Sequence, residues 1–247
     1  MHSLFLDEAY HDADSGRRIV VGAWGVDQAR LASHAHLLGE LRTRGKSQLI
    51  KRIAAVFESL NAQALIAWAE LPASIFRAGE VDRTNDIPAM ARADNIWSMS
   101  MIYAIGELLF LLFCRRQQVG TVDVYFDQRK LKSDHIAAVE RALRDLLARE
   151  AKRFGAQLGA HQFKKLSIRR FQPVEKAKSD LPTNFQNGTW VSHQLLANSD
   201  QILNEGGLSR IAVHDMSDVV ERTVQQFDGK PFSDAPSRMS RNRPLTS

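Results

Sequence analysis

Short apolar runs separated by polar turns give the chain its pattern. Residues 3–6 predict a strand, the Asp-Ala-Asp-Ser-Gly sequence at 12–16 predicts a turn, and residues 17–25 predict a second strand. A turn this short joins antiparallel neighbours, so the two strands are expected to pair as a hairpin. Further strands are predicted over 62–71, 121–126, 164–171 and 209–216.

Helical periodicity fills the intervals between these strands. The clearest case is 48–60, where Leu49, Ile53, Phe57 and Leu60 fall on one face at the helical period. The other predicted helices cover 28–41, 95–114, 134–153, 189–203 and 219–226. Strands alternating with helices predict an α/β protein, in which a mixed sheet opens with an antiparallel hairpin and carries helices on both faces.

The segment 95–114 is apolar enough to admit two interpretations. Its length approaches that of a membrane span, and Arg115 and Arg116 follow it. However, Ser98, Ser100 and Glu107 interrupt the apolar run. Because buried helices can be apolar on every side, a central helix packed on the sheet is preferred over a membrane helix.

Composition sets the class of protein and its partners. The 247 residues are 44% hydrophobic and 25% charged, which is typical of a globular protein with one sizeable core. We expect a single domain over 1–232 and a mobile tail over 233–247, which is rich in Ser, Pro and Arg. The net charge of +5 favours anionic partners.

Cysteine and leader signals point to a cytoplasmic protein. Cys114 is the single cysteine of the sequence, which excludes an intramolecular disulfide and a paired-cysteine zinc motif. No long apolar stretch precedes Asp7, so a signal peptide is not predicted and a cytoplasmic location is expected.

Two predicted strands lead directly into an acid. Leu4-Phe5-Leu6 is followed by Asp7 and Glu8, and Val124-Tyr125-Phe126 is followed by Asp127. If the strands are neighbours, the carboxylates meet at one edge of the sheet, where Mg²⁺ or Mn²⁺ could take them as ligands together with substrate phosphates. Asp123 lies in the second strand and ranks below Asp127. The first segment alone is explained more simply as the start of a solvated turn.

The sequence LFLDEAYHDADSGRRIVVGAWGV resembles the opening of the family called domain of unknown function 3800 (DUF3800). Asp7 and Glu8 match its Asp-Glu turn, whereas Tyr10 stands where a glycine is usual. The sequence VYFDQRKLKSD resembles the second signature of the family, a strand that ends in an acid before a helix. There the resemblance implies roles for Asp127 and Arg129.

The third signature of that family resembles TWVSHQLLAN at 189–198. Its acid position falls on Gln194, whose side chain offers a carbonyl oxygen without charge, and His193 stands one position away, about 100° around a helix. The resemblance implies a ribonuclease-H-like, RuvC-related fold and a metal-dependent nuclease from a mobile-element or phage-defence context. Asp7 and Asp127 would hold Mg²⁺ or Mn²⁺, Glu8 would position water or a second ion, and His193 and Gln194 would complete the site.

Basic residues supply the predicted contacts to nucleic acid. The predicted set is Arg129, Lys46, Lys164, Lys165, Arg169 and Arg170. Such clusters follow phosphates without reading sequence, but any one of them is also explained as a solvated surface. Trp190 lies in an apolar pattern and is predicted to be in the core. Because Gln194 replaces an acid, a non-catalytic protein that binds nucleic acid or another protein is the alternative function.

Overall fold

Six strands form one sheet in the order β5-β4-β1-β2-β3-β6. Strands β1 to β3 form an antiparallel meander; β4 runs parallel to β1, β5 runs parallel to β4, and β6 runs parallel to β3. The strands are β1 (His2–Ala13), β2 (Gly16–Asp27), β3 (Gln63–Pro72), β4 (Thr121–Phe126), β5 (Ser167–Pro173) and β6 (Ile211–Asp215). This meander, extended beside its first and third strands by parallel strands, is the mixed sheet opening with an antiparallel hairpin that the sequence predicts.

The computed structural model describes residues 1–13, 16–43, 48–72, 87–113, 120–127, 136–145, 148, 167–173 and 187–227. Its helices are α1 (Gln28–Ser33), α2 (Ala35–Thr43), α3 (Leu49–Leu60), α4 (Ile87–Phe113), α5 (136–145), α6 (Asn187–Ala197), α7 (Ser199–Asn204) and α8 (Ser217–Phe227). Cys114 and the predicted tail over 233–247 lie outside the described residues.

Two predicted helices are each divided in two. The segment predicted as one helix over 28–41 breaks at His34, whose backbone leaves the helical region, and the segment over 189–203 breaks at Asn198. The Asp27 side chain accepts hydrogen bonds from the backbone N–H groups of Ala29 and Arg30 at the start of α1. A cap of this kind fixes where a helix begins. The hydrophobic period of the sequence continues across both breaks, so the sequence pattern does not reveal them.

Helices cover both faces of the sheet, as the pattern predicts. On one face, Leu4 and Leu6 pack with Trp97 and other residues of α4; on the other, Phe5 and Trp24 pack with Phe57 of α3. The apolar part of α4, Asn95–Leu112, is 72% buried within the protein. The segment that resembles a membrane span is therefore used as a core helix, and the preferred interpretation is confirmed.

The hairpin of β1 and β2 is longer than predicted. Its register continues from Asp7 opposite Gly22 to Ala13 opposite Gly16, so β1 does not end at Leu6. The acid lies within the strand because β2 continues to supply backbone partners along its whole length. The prediction that the strand ends at residue 6 is wrong, and so is the simpler alternative that Asp7 begins a solvated turn, since an acid in a strand pattern does not by itself end the strand.

Helix α6 lies unusually close to the sheet at two glycines. A Cβ atom on Gly22 would meet the Ser192 backbone oxygen at 2.8 Å, and one on Gly188 would meet the Phe5 ring at 2.3 Å. The Trp24 indole N–H donates to the Gly188 carbonyl oxygen at 2.8 Å, which fastens the beginning of α6 to β2. These contacts fix how α6 lies over β1 and β2.

We expect Gly22→Ala to lower the free energy of unfolding by about 1–3 kcal/mol, because the added methyl group meets backbone and forces α6 away from the sheet. Urea unfolding measures the change. Gly106→Ala is the matched control, since a Cβ atom there meets nothing within 4 Å, and should raise the stability by about 0.5–1 kcal/mol. Equal stabilities for the two variants would contradict the close packing of α6.

Candidate functional site

The pairing of β1 with β4 brings the two predicted acids together. Leu6 is opposite Phe126 in the last register pair, and the Asp127 backbone N–H donates to the Leu6 carbonyl oxygen at 3.2 Å. Asp7 and Asp127 are therefore the next residues on two adjacent parallel strands. Strand β4 ends there, whereas β1 continues along β2. The two carboxylates therefore lie at the point where β1 no longer has a hydrogen-bonded strand on its β4 side.

The Asp7 side chain lies in a confined position. The residue is 7% exposed; its Oδ1 accepts the backbone N–H of Glu8 at 2.9 Å, and its Oδ2 lies 3.2 Å from Nδ1 of His193. Burial raises the pKa of Asp7 above its ordinary value, and the negative charge of Asp127 raises it further, while the contact with His193 acts in the opposite direction. Asp127 itself is exposed.

His193 stands on α6 one position before Gln194, on which the resemblance places the acid. Because a carboxylate oxygen can only accept, the contact makes Nδ1 of His193 the donor to Asp7. The next residue, Gln194, is rotated by about 100° around α6 and lies further from the Asp7 side of the helix. Of the two residues that the sequence places at the site on α6, His193 is the one that reaches Asp7.

Glu8 follows Asp7 in the same strand, and its side chain points to the other face. Asp7 shares its face of β1 with Phe5 and Ala9, which pack on the α3 and α6 side. Glu8 shares the opposite face with Leu6 and Tyr10, which pack on the α4 side. Successive side chains of a strand alternate between faces, and the β1–β2 register is continuous here. The predicted cooperation of Glu8 with Asp7 would therefore require a local change in β1.

The donor set fits a magnesium-type site only in part. Within the described ranges, no three His, Cys, Asp or Glu side chains converge on one point at which a metal could be held. Asp7 and Asp127 are nevertheless two carboxylates at one edge, and Mg²⁺ is commonly bound through one or two carboxylates plus substrate phosphates. The two acids thus suit a divalent cation that completes its coordination with substrate and water.

Asp123, in the strand that Asp127 follows, has a different environment. It is completely buried, and its Oδ1 accepts from Nε of Arg169 at 2.8 Å while its Oδ2 accepts from the Gln28 side chain at 3.0 Å. Burial by itself raises the pKa of Asp123, but the hydrogen bonds from Arg169 and Gln28 outweigh it and hold the pKa below its usual range. This carboxylate already has its cation.

Arg169 reaches Asp123 through an irregularity in β5. The register passes from Val122 opposite Ile168 to Asp123 opposite Arg170, so Arg169 is an extra residue in the ladder. Such bulges redirect a side chain, and here the guanidinium group turns to the buried carboxylate. Arg169, predicted to contact nucleic acid, is committed to an ion pair within the fold. Arg170 is half-buried.

The remaining predicted basic residues are outside the part of the chain that the structure describes. They are Arg129, Lys46, Lys164 and Lys165. Their role in binding nucleic acid stays a prediction.

Comparison with known proteins gives a distant likeness in structure. No family model matches the chain, so membership of the DUF3800 family is not supported, and no curated protein matches it. Two solved structures of Bst-RNase HIII are similar, a Q54A mutant and a complex with Mn²⁺, each 16% identical, with TM-scores of 0.37 and 0.38. The matches cover 94% of this chain and 64% and 65% of those chains, so the chain spans slightly less than two thirds of their length.

We expect Arg169→Gln to destabilise the fold by about 1–3 kcal/mol near neutral pH, because the buried Asp123 loses the guanidinium to which it is hydrogen-bonded. The lowered pKa of Asp123 means that the ion pair contributes its full stability above the unfolded-state value, about 3.9, and loses it as the pH falls through the folded-state value. The difference between variant and wild type should therefore shrink on acidification. Urea unfolding from pH 7 to pH 3 measures it; a difference independent of pH would contradict the assignment.

Asp7→Asn should have the opposite effect and raise the stability by about 1 kcal/mol at pH 7, or about 2–4 °C in Tm. The pKa of Asp7 is raised in the folded state, so ionising it costs stability once the pH rises through that value, and the amide avoids this cost. The gain should vanish below the unfolded-state pKa. Calorimetry at pH 3 and pH 7 tests both statements, and a loss of stability at pH 7 would show that Asp7 is structural.

Proposed function

We propose that this protein is a divalent-metal-dependent hydrolase of phosphodiester bonds in nucleic acid. The observation that carries the proposal is the position of Asp7 beside Asp127 where β4 ends, together with the burial of Asp7 without an arginine or lysine partner among the described residues. A buried carboxylate next to another one is costly unless a cation joins them. The arrangement is therefore suited to an ion bound at the edge of the sheet.

The residues of the site would divide the work between binding and proton transfer. Asp7 and Asp127 would hold Mg²⁺ or Mn²⁺, which when bound stabilises the charge that develops on the phosphate. The His193 side chain is 65% exposed and is oriented through Nδ1 by Asp7, which leaves Nε2 to give or accept a proton at the substrate. In this proposal Gln194 and Glu8 have no direct part in the chemistry.

Nucleic acid is the substrate class that agrees best with the charge of the chain. A net charge of +5 favours a polyanion, although two acids stand at the site itself. A polyanion would supply both the phosphate ligands that the ion needs and the contacts that draw the chain to it. A role in a mobile element or in phage defence stays a prediction from the resemblance.

A non-catalytic binding protein of the same fold is the second candidate. It is favoured by Gln194, which stands at the expected acid position on α6, since within the described ranges no third carboxylate joins Asp7 and Asp127. Loss of one acid lowers the affinity of a site for Mg²⁺, and a protein could retain nucleic-acid binding after losing cleavage. Metal binding and cleavage separate the two candidates.

Wild-type protein should gain several degrees in Tm with millimolar MnCl₂ or MgCl₂, because an ion that binds the native state alone stabilises it. Asp7→Asn and Asp127→Asn should remove this gain and reduce cleavage of labelled DNA or RNA to below about 1%. Asp200→Asn is the matched control, since Asp200 is an exposed acid on α7 and should leave both properties unchanged.

The two candidates give different results in this experiment. Cleavage lost with either site acid supports the hydrolase. Nucleic-acid binding without a metal-dependent shift or cleavage supports the non-catalytic protein, and cleavage that survives both substitutions contradicts the assignment of the site.

A further inference from the structure

Arg42, at the end of α2, is held over the ring of Trp190 on α6. Its guanidinium carbon lies 5.6 Å from the centre of the ring, and its Nη1 donates to Oδ1 of Asn187 at 2.7 Å. Arg42 is exposed, whereas Trp190 is half-buried and packs on the core below it. An aromatic ring beneath the guanidinium and an amide at its edge restrict its orientation before any ligand arrives.

The positive charge of Arg42 is not neutralised by these contacts, since an indole ring and an amide are both uncharged. Arg18 provides a direct comparison. Its guanidinium lies at the same 5.6 Å from the ring of Trp68, but it also forms ion pairs with Glu70 at 2.7 Å and Asp200 at 3.5 Å. Two acids balance the charge of Arg18, whereas among the described residues no acid forms an ion pair with Arg42.

The Arg42 stack lies beside the candidate active site. Trp190 and His193 are three residues apart on α6 and are therefore neighbours on its surface, about 5 Å apart along the axis. The residues of α6 that face the sheet are Gly188, Val191, Ser192, Leu195 and Leu196. Trp190 and His193 both lie outside this buried face, so a chain that runs along α6 could contact the stack and the Asp7–His193 pair in succession.

We propose that Arg42 and Trp190 bind one nucleotide of a single-stranded nucleic acid, next to the phosphate at Asp7 and Asp127. The base stacks on the outer face of the guanidinium, whose inner face lies over the Trp190 ring, and the guanidinium N–H groups that Asn187 does not use donate to the phosphate. Bases are available for such stacking in single strands, whereas in a duplex they are covered. This inference rests on the proposed function, since it places the substrate strand across the same site.

The test measures binding in the full chain with Asp7→Asn, which blocks cleavage, by fluorescence anisotropy of a labelled single-stranded oligonucleotide. Adding Arg42→Gln should weaken binding about tenfold and lower the slope of log K against log salt by about one, because one phosphate contact is lost. Trp190→Ala should weaken binding about tenfold with the slope unchanged, because the guanidinium loses the ring that orients it but keeps its charge. Trp190→Phe should retain most of the affinity.

Arg18→Gln and Trp68→Phe are the matched controls, because they alter the balanced stack and should leave affinity and salt slope as they were. The Tm of each variant confirms that it is folded, and Arg42→Gln keeps the test decisive if Trp190→Ala does not fold. If the parent protein binds the oligonucleotide and both Arg42→Gln and Trp190→Ala bind it equally well, this inference fails and the proposed function stands. If the parent binds no nucleic acid at all, both fail.

Discussion

The candidate site depends on the difference in length between two paired strands, since β1 continues past the point at which β4 ends. The two strands pair in parallel only as far as Leu6 and Phe126, after which β4 ends and β1 continues along β2. One backbone hydrogen bond, from Asp127 to Leu6, closes the ladder and sets two carboxylates on neighbouring strands. Everything proposed for the site follows from this register, since a shift of one residue would turn Asp7 to the other face of the sheet.

Packing holds this arrangement in place at some cost. Phe5 stacks on Trp24 at 5.0 Å and Trp24 on Phe57 at 5.3 Å, and α6 approaches the strands closely at Gly22 and Gly188. This closeness brings His193 to Asp7, but it also removes the carboxylate from water, which raises its pKa. The apolar core therefore stabilises a polar site that is unfavourable on its own, as is common where stability and function compete.

The two buried acids of the sheet differ in their partners. Asp123 is wholly buried but has Arg169 and Gln28, and its pKa is lowered; Asp7 is slightly exposed and has a second acid and a histidine, and its pKa is raised. The charge of Asp123 is already balanced by Arg169, whereas a bound cation would stabilise the ionised form of Asp7. The same comparison separates the balanced Arg18 stack from that of Arg42.

The sequence by itself determined the hairpin, the strands over 62–71 and 121–126, the amphipathic helix α3 and the choice of Asp7 and Asp127, because these depend on local periodicity and on acids next to apolar runs. Only the tertiary structure decided that β1 continues past Asp7, that His193 rather than Gln194 reaches it, and that Arg169 turns to Asp123. These features depend on how long a partner strand is, how a helix is rotated on the sheet and where a bulge lies. Each is set by packing between segments far apart in the chain, which a local pattern does not record.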